Sequence, residues 1–144
     1  MATEQSPGAA ALARENVSRI APPTPVEIRE GNLLAPLVDK GERYRVIVAN
    51  PPYLTEGEYA ELDRSVCDFE PAEALVSGVD GLDATRAIFA GAGAVLQPGG
   101  LLALEIDERR ADAVRALGRD AGWNVTIHDD VFGCPRYALS IKEA

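Results

Sequence analysis

Four consecutive residues, Asn50-Pro51-Pro52-Tyr53, carry the groups best suited to chemistry. A carboxamide nitrogen, or the exocyclic amine of a nucleobase, is a poor nucleophile because its lone pair is delocalised. To attack a sulfonium methyl group it must be held in line with both N–H groups engaged. The Asn50 side-chain carbonyl offers one neutral acceptor, and the Pro51 backbone carbonyl offers a second. Both prolines have a fixed φ, and Pro51 is restricted further because it precedes a proline. The direction of its carbonyl is therefore set before any substrate arrives. Tyr53 adds a flat face for the planar group. Orientation of this kind supplies ~7–11 kcal/mol of a barrier in favourable cases. No strong base is needed, because the nitrogen becomes acidic once methylated. The competing reading of the same four residues is a rigid Pro-Pro turn after a strand, without chemistry.

Such a turn needs a strand to deliver it. The run Tyr44–Ala49 (YRVIVA) is apolar and rich in β-branched residues without alternation. It predicts a strand covered on both faces, as in a parallel sheet. Ligands of open α/β sheets bind beyond the carboxyl ends of such strands, where Asn50 begins. A second buried strand is expected over Leu101–Ile106, after the breaker Pro98-Gly99-Gly100. A helix should start at N-cap Ser6 with Pro7 in its first position and stop before Pro22, Pro23 and Pro25. Val26-Glu27-Ile28 should be a short strand. Further helices are expected over Ala84–Leu96, with Asp83 as N-cap, and from Ala111 to Ala121, ended by Gly122. Trp123–Ile127 and Tyr137–Ile141 alternate and should form an antiparallel pair turned at Gly133 and Pro135. Residues from about 54 to 83 have no sustained periodicity and read as a long loop with one or two helical turns. The order predicts one α/β domain over residues 1–144, with a mostly parallel sheet and an antiparallel C-terminal hairpin.

Composition narrows the classes. Net charge is −9, and no Lys/Arg cluster is present, which weighs against nucleic acid as a partner. There is no apolar run long enough to span a bilayer and no apolar signal segment, so a cytoplasmic protein without a membrane is expected. Cys67 and Cys134 fit no zinc spacing, and no metal is expected. His128 reads as a surface or edge residue, and Trp123 as core. Asp80 and Asp83 read as turn and cap residues, and Glu70 as a loop-bracing carboxylate beside the Asn50 turn. Glu105 ends a strand at the carboxyl edge and could face the site.

Val46–Tyr53, with Phe69-Glu70-Pro71, Ala74-Leu75, Gly78 and Asp80-Gly81-Leu82, resembles the peptide-chain release factor N5-glutamine methyltransferases. The similarity continues through Pro98-Gly99-Gly100, Leu104-Glu105-Ile106, Gly133 and Arg136. Asn-Pro-Pro-Tyr alone is shared with adenine-N6 methyltransferases of DNA and RNA. The Glu-Pro and Asp-Gly-Leu segments favour the glutamine-modifying branch. The resemblance implies a Rossmann-like fold, S-adenosyl-L-methionine as cofactor, and a release factor with a Gly-Gly-Gln loop as protein substrate. It places Asn50, Pro51, Pro52 and Tyr53 at the reacting amide. It places Glu4 at the cofactor ribose and Asn32-Leu33 beside the adenine, with Asn32 where the family has an acid, and it counts Asn50 among the cofactor contacts as well. It assigns Glu70 and Pro71 to the substrate loop and lets Arg136 brace it.

The chain also departs from the family. No Gly-x-Gly-x-Gly string precedes Glu4, so the family's first strand and Gly-rich cofactor turn are missing at the N-terminus. Arg45 replaces an acid, and Asp107-Glu108 stand where the family prefers small residues. These departures leave three readings open: a truncated product that no longer binds cofactor, a fragment, or a subunit whose sheet is completed by a second copy or a partner chain.

Overall fold

The computed structural model describes residues 1–38 and 40–142. The chain divides into two compact units, Met1–Glu42 and Arg43 onward. In the first, strand β1 (Ala2–Glu4) leads through a turn into helix α1 (Pro7–Ile20). The Ser6 hydroxyl accepts from Ala9 N–H at 3.4 Å, and Pro7 occupies the first turn, where its missing N–H costs nothing. The helix closes at Ala21, in left-handed conformation (φ 46°), just before the prolines. Strand β2 (Ile28–Glu30) pairs parallel with β1. It begins where the expected strand Val26–Ile28 ends, because the ladder starts when Ala2 N–H donates to Glu27 O. Arg14 of α1 bonds Glu30 and the Ile28 carbonyl, fastening helix to strand. A one-turn helix, α2 (Ala35–Val38), follows.

The second unit holds a four-stranded sheet in the order β3-β4-β6-β5. Strand β3 (Tyr44–Ala49) leads into three short helices, α3 (Glu56–Ala60), α4 (Arg64–Cys67) and α5 (Ala72–Leu75). Helix α6 (Asp83–Val95) then leads into β4 (Leu96–Glu105). A 3-10 turn (Glu108–Arg110), helix α7 (Ala111–Asp120) and the strands β5 (Trp123–Asp129) and β6 (Pro135–Lys142) complete it. Strands β3 and β4 are parallel, and β6 runs antiparallel to both β4 and β5. The expected hairpin is present.

Other differences from expectation also have physical reasons. Strand β4 starts at Leu96, because Tyr44 pairs with Leu96 before the register shifts; Pro98-Gly99-Gly100 makes a bulge instead of the strand's start. Asp83 is the first residue of α6 and pairs with Arg86. The cap comes from buried Ser77, whose hydroxyl accepts from Ala84 N–H at 2.8 Å. The segment read as a loop with one or two turns contains three short helices, each too short for a periodicity signal.

A larger correction concerns β3. Ile47, Leu102, Leu104, Ala138 and Ser140 alternate along the sheet and are buried, together with Ile88, Phe89, Ala92 and Val95 of α6 and Val114 of α7. Trp123 closes this core, its indole N–H donating to Phe89 O at 3.2 Å. The opposite pleat is open: Val46 is 51% exposed, Val48 79% and Ile141 49%. The strand expected to be covered on both faces is covered on one. Among the described residues β3 has β4 as its sole strand neighbour, and α6 and α7 bury the Ile47 side alone.

This one-sided burial makes paired substitutions unequal. Ile47→Ala should cost ~2–5 kcal/mol of second-unit stability, whereas Val48→Thr should stay within about 0.5 kcal/mol. Urea unfolding followed through the single tryptophan, Trp123, measures both; equal losses would contradict the one-faced packing.

Candidate active site at the end of strand β3

Ala49 is the last residue of β3 paired to β4, opposite Leu104. The next two ladder positions are compromised, because Pro51 and Pro52 have no N–H. The first backbone donors beyond the corner are Tyr53 and Leu54, and both donate to Leu75 O, at 3.1 and 2.9 Å. Ser77 N–H returns a bond to Leu54 O at 2.8 Å. The far arm of the 54–83 segment is thereby laid against Tyr53-Leu54 as a one-residue parallel bridge. A cavity of about 80 Å³ opens there, lined by Asn50, Pro51, Pro52, Tyr53, Ala74 and Leu75. Asn50 faces solvent, Pro51 is buried, and Tyr53 is half-buried. Among the described residues no protein group bonds the Asn50 carboxamide. The four residues singled out in the sequence thus line one opening, with the neutral acceptor unengaged.

A larger hollow, about 290 Å³, lies at the other end of β3, between Arg45-Val46 and the bulge Gln97–Leu101. It shares no residue with the Asn50 corner. Its position at the amino end of the strand is not where open α/β sheets bind ligands, and the smaller cavity is the better candidate.

Charged groups fasten the loop around this corner. Thr55 and Glu58 form a capping box: Glu58 N–H donates to the Thr55 hydroxyl at 3.1 Å, and Thr55 N–H to the Glu58 carboxylate at 2.8 Å. The same carboxylate meets the guanidinium groups of Arg109 and Arg110. Arg110, whose side chain is only 9% exposed, also donates from Nε to Asp80 O at 3.0 Å. Asp107 pairs with Arg109 and lies 3.3 Å from Arg110 Nη1. That nitrogen is close enough for a charge contact but has no hydrogen-bond geometry. Burial pushes Glu58 up, yet bonds from Thr55 and Arg110 outweigh it and hold the carboxyl below its ordinary range. The Arg109 guanidinium holds Asp107 low as well, against burial.

Gly81 explains part of the Asp-Gly-Leu pattern. Its φ is +74°, and a Cβ there would stand 2.3 Å from Tyr53 O and 2.4 Å from Arg110 Nε. Asp80 and Asp83 both turn to Arg86. Arg136 bonds Asp130 at 3.3 Å; its proton is held tightly, mainly by Asp130, with smaller contributions from Tyr53 and Glu105. Glu70 and Pro71 are exposed, between α4 and α5, and the Glu70 carboxylate bonds nothing among the described residues. The bracing expected of Glu70 falls to Glu58 and Ser77. The Thr55-x-x-Glu58 spacing is a capping-box signal that the sequence reading passed over; Arg110, far along the chain, gave no local signal.

Glu4, Asn32 and Leu33 belong to the first unit, where Glu4 is the last residue of β1 and Asn32 and Leu33 follow the carboxyl end of β2. Gly31 N–H donates to Glu4 O at 2.9 Å, so the two strand ends touch. One Glu4 carboxylate oxygen accepts from Ser6 N–H at 2.7 Å. Asn32 is exposed, and Leu33 adopts φ 46°.

Two outcomes follow from the clamp. Gly81→Ala should destabilise the second unit by ~1–3 kcal/mol, because it strains a left-handed residue and collides with Tyr53 O; denaturant unfolding reads this. Asp107 has a depressed folded pKa, so its contribution is complete above the ordinary carboxylate range and is lost as pH falls through the folded value. The stability difference between wild type and Asp107→Asn should be constant from about pH 6 upward and shrink below about pH 4. A difference that grows on acidification would contradict the pairing.

No protein-family model matches the chain. Individual relatives do. A release factor glutamine methyltransferase of Deinococcus radiodurans is 42% identical over 136 residues, covering 94% of this chain and 47% of that protein. The Moorella thermoacetica protein of the same name is 42% identical over 143 residues, covering 98% of this chain and 50% of that protein. Among solved structures, a methyltransferase from Pyrococcus furiosus superposes with a TM-score of 0.64 at 21% identity, covering 96% of this chain and 59% of that one. The fold is that of a methyltransferase, mixed α/β with parallel pairs and an antiparallel hairpin. By sequence the chain is similar to the release factor glutamine methyltransferases, and it spans about half the length of the curated relatives it matches.

Proposed function

We propose that the chain provides the amide-binding part of an S-adenosyl-L-methionine-dependent N-methyltransferase acting on the glutamine side chain of a peptide-chain release factor. The observation that carries this reading is the exposed, unengaged Asn50 carboxamide beside an open cavity walled by Pro51, Pro52 and Tyr53. The names of the relatives support the substrate class. The Gly-Gly-Gln loop is the natural acceptor in a release factor, and the cytoplasm the natural compartment.

Asn50 Oδ1 accepts one hydrogen of the substrate amide and Pro51 O accepts the other. Two acceptors fixed by a diproline corner leave the nitrogen with one orientation. The Tyr53 ring lies against the amide plane. When the nitrogen gains its methyl group it becomes acidic, and its proton leaves through these same acceptors to water. Glu70 and Pro71, exposed on the same loop, contact the rest of the peptide. The cofactor, when bound, supplies an electrophilic methyl group on sulfur. The first unit fits its polar half: Glu4 keeps one carboxylate oxygen free for ribose hydroxyls, and Asn32 and Leu33 lie at the adjacent strand end for the adenine. The edge of β3 without a strand partner among the described residues, and its open face with Val46 and Val48 exposed, support completion of the sheet by a second copy or a partner chain.

The expected outcome is transfer of an isotopic methyl group to a Gly-Gly-Gln-containing release factor, reduced at least about a hundredfold by Asn50→Ala. Folded wild-type chain that neither transfers methyl nor binds S-adenosylmethionine in calorimetric titration would defeat the reading.

A further inference from the structure

We propose that Arg110 is the positioning residue that holds Tyr53 and its cavity in working shape, by joining both arms of the 54–83 loop to the end of β4. The reading of Arg110 as a loop clamp stands on geometry, and its consequence for turnover rests on the proposed methyl transfer. One arm leaves the corner through Thr55 and Glu58; the other returns through Asp80-Gly81. Arg110 touches both. Its Nη2 meets the Glu58 carboxylate, and its Nε donates to Asp80 O at 3.0 Å. The guanidinium packs on Gly81, whose missing Cβ would otherwise lie 2.4 Å from Arg110 Nε and 2.3 Å from Tyr53 O. Tyr53 O, Gly81 and Arg110 are therefore stacked in direct succession, with no room for a side chain between them.

The residue type matters. A planar fork with donors in fixed directions can serve a carboxylate and a carbonyl on two separate segments at once; a lysine ammonium on a flexible stem cannot hold both directions. Arg110 is also buried, while Arg109, the other partner of Glu58, is 55% exposed. The exposed pair is screened by water and contributes little, so the holding falls to Arg110. Asp107, 3.3 Å from Arg110 Nη1, keeps the guanidinium against the strand end. Neither arm has another side-chain bond to the end of β4 among the described residues except Arg109–Glu58.

The test is hydrogen exchange on the whole chain, read at Tyr53, Leu54 and Ser77, whose amides make the bridge at the corner. Arg110→Lys and Glu58→Gln should each speed exchange there by about tenfold or more, while Ile88 and Ala138 in the core keep wild-type rates. In methyl transfer the same variants should lower kcat and leave KM for S-adenosylmethionine unchanged. Unchanged exchange at the corner in Glu58→Gln overturns the clamp, and so does a loosened corner with wild-type kcat. If Arg110→Lys unfolds the whole unit, Glu58→Gln, which removes no buried cation, decides. If wild type itself transfers no methyl, the assigned reaction fails and the exchange comparison alone judges the clamp.

Discussion

Two consecutive prolines at the tip of β3 end its hydrogen-bond ladder, because neither has an N–H to donate. Everything around the site follows from where the chain finds its next partners. Tyr53 and Leu54 both turn to Leu75 O, and Ser77 answers to Leu54 O. A segment more than twenty residues downstream is thereby folded back onto the strand tip. The same return brings Ser77 to the first turn of α6 and Gly81 beneath Tyr53 O. The corner is rigid twice over, once through fixed proline φ angles and once through the bridge that terminates them.

The sheet behind the corner is packed on one side. Ile47, Leu102 and Leu104 lie in the core, while Val46 and Val48 point to solvent from a strand whose outer edge is unpaired among the described residues. A run of six residues rich in valine and isoleucine is more apolar than a one-sided edge strand requires. Residue type and environment disagree here. The relatives the chain matches are about twice as long. The apolar excess of β3 is suited to a covered, paired strand, and the exposed valines record that suitability in a chain that spans half of such a protein.

What was legible in the sequence were features decided locally. Ser6 and Pro7 start α1 because capping needs only neighbouring residues, and the hairpin alternates because one pleat is buried. The Asn50 corner could be read because strand, diproline and aromatic are contiguous. The loop 54–83 was illegible where its structure depends on distant groups. Ser77 caps a helix six residues away, displacing Asp83 from the role its position suggested. Glu70 looked like the brace because it lies in the Glu-Pro segment of the loop, yet Glu58 has that place because Arg110, from the turn that follows β4, reaches it. The Asp107-Glu108 departure from the family pattern marked the right neighbourhood without revealing its purpose.

The distribution of charge ties these points together. The chain carries a net charge of −9, and acids crowd the loops at the carboxyl edge. Around the corner, several of them are engaged: Glu58 by Arg109 and Arg110, Asp107 by Arg109, Asp80 by Arg86, and Asp130 by Arg136. The residue that follows β3 in the corner itself is the neutral, exposed Asn50. A free carboxylate in that place would accept hydrogens too, but it would also bind any cation and hold water strongly, charging a desolvation cost to every substrate. A neutral carbonyl, paired with a backbone carbonyl of fixed direction, selects for a planar group with two hydrogens. The arginines therefore neutralise part of the acid around the site as well as fastening its loop, and an acidic chain can present a neutral corner that recognises shape and hydrogen-bond direction.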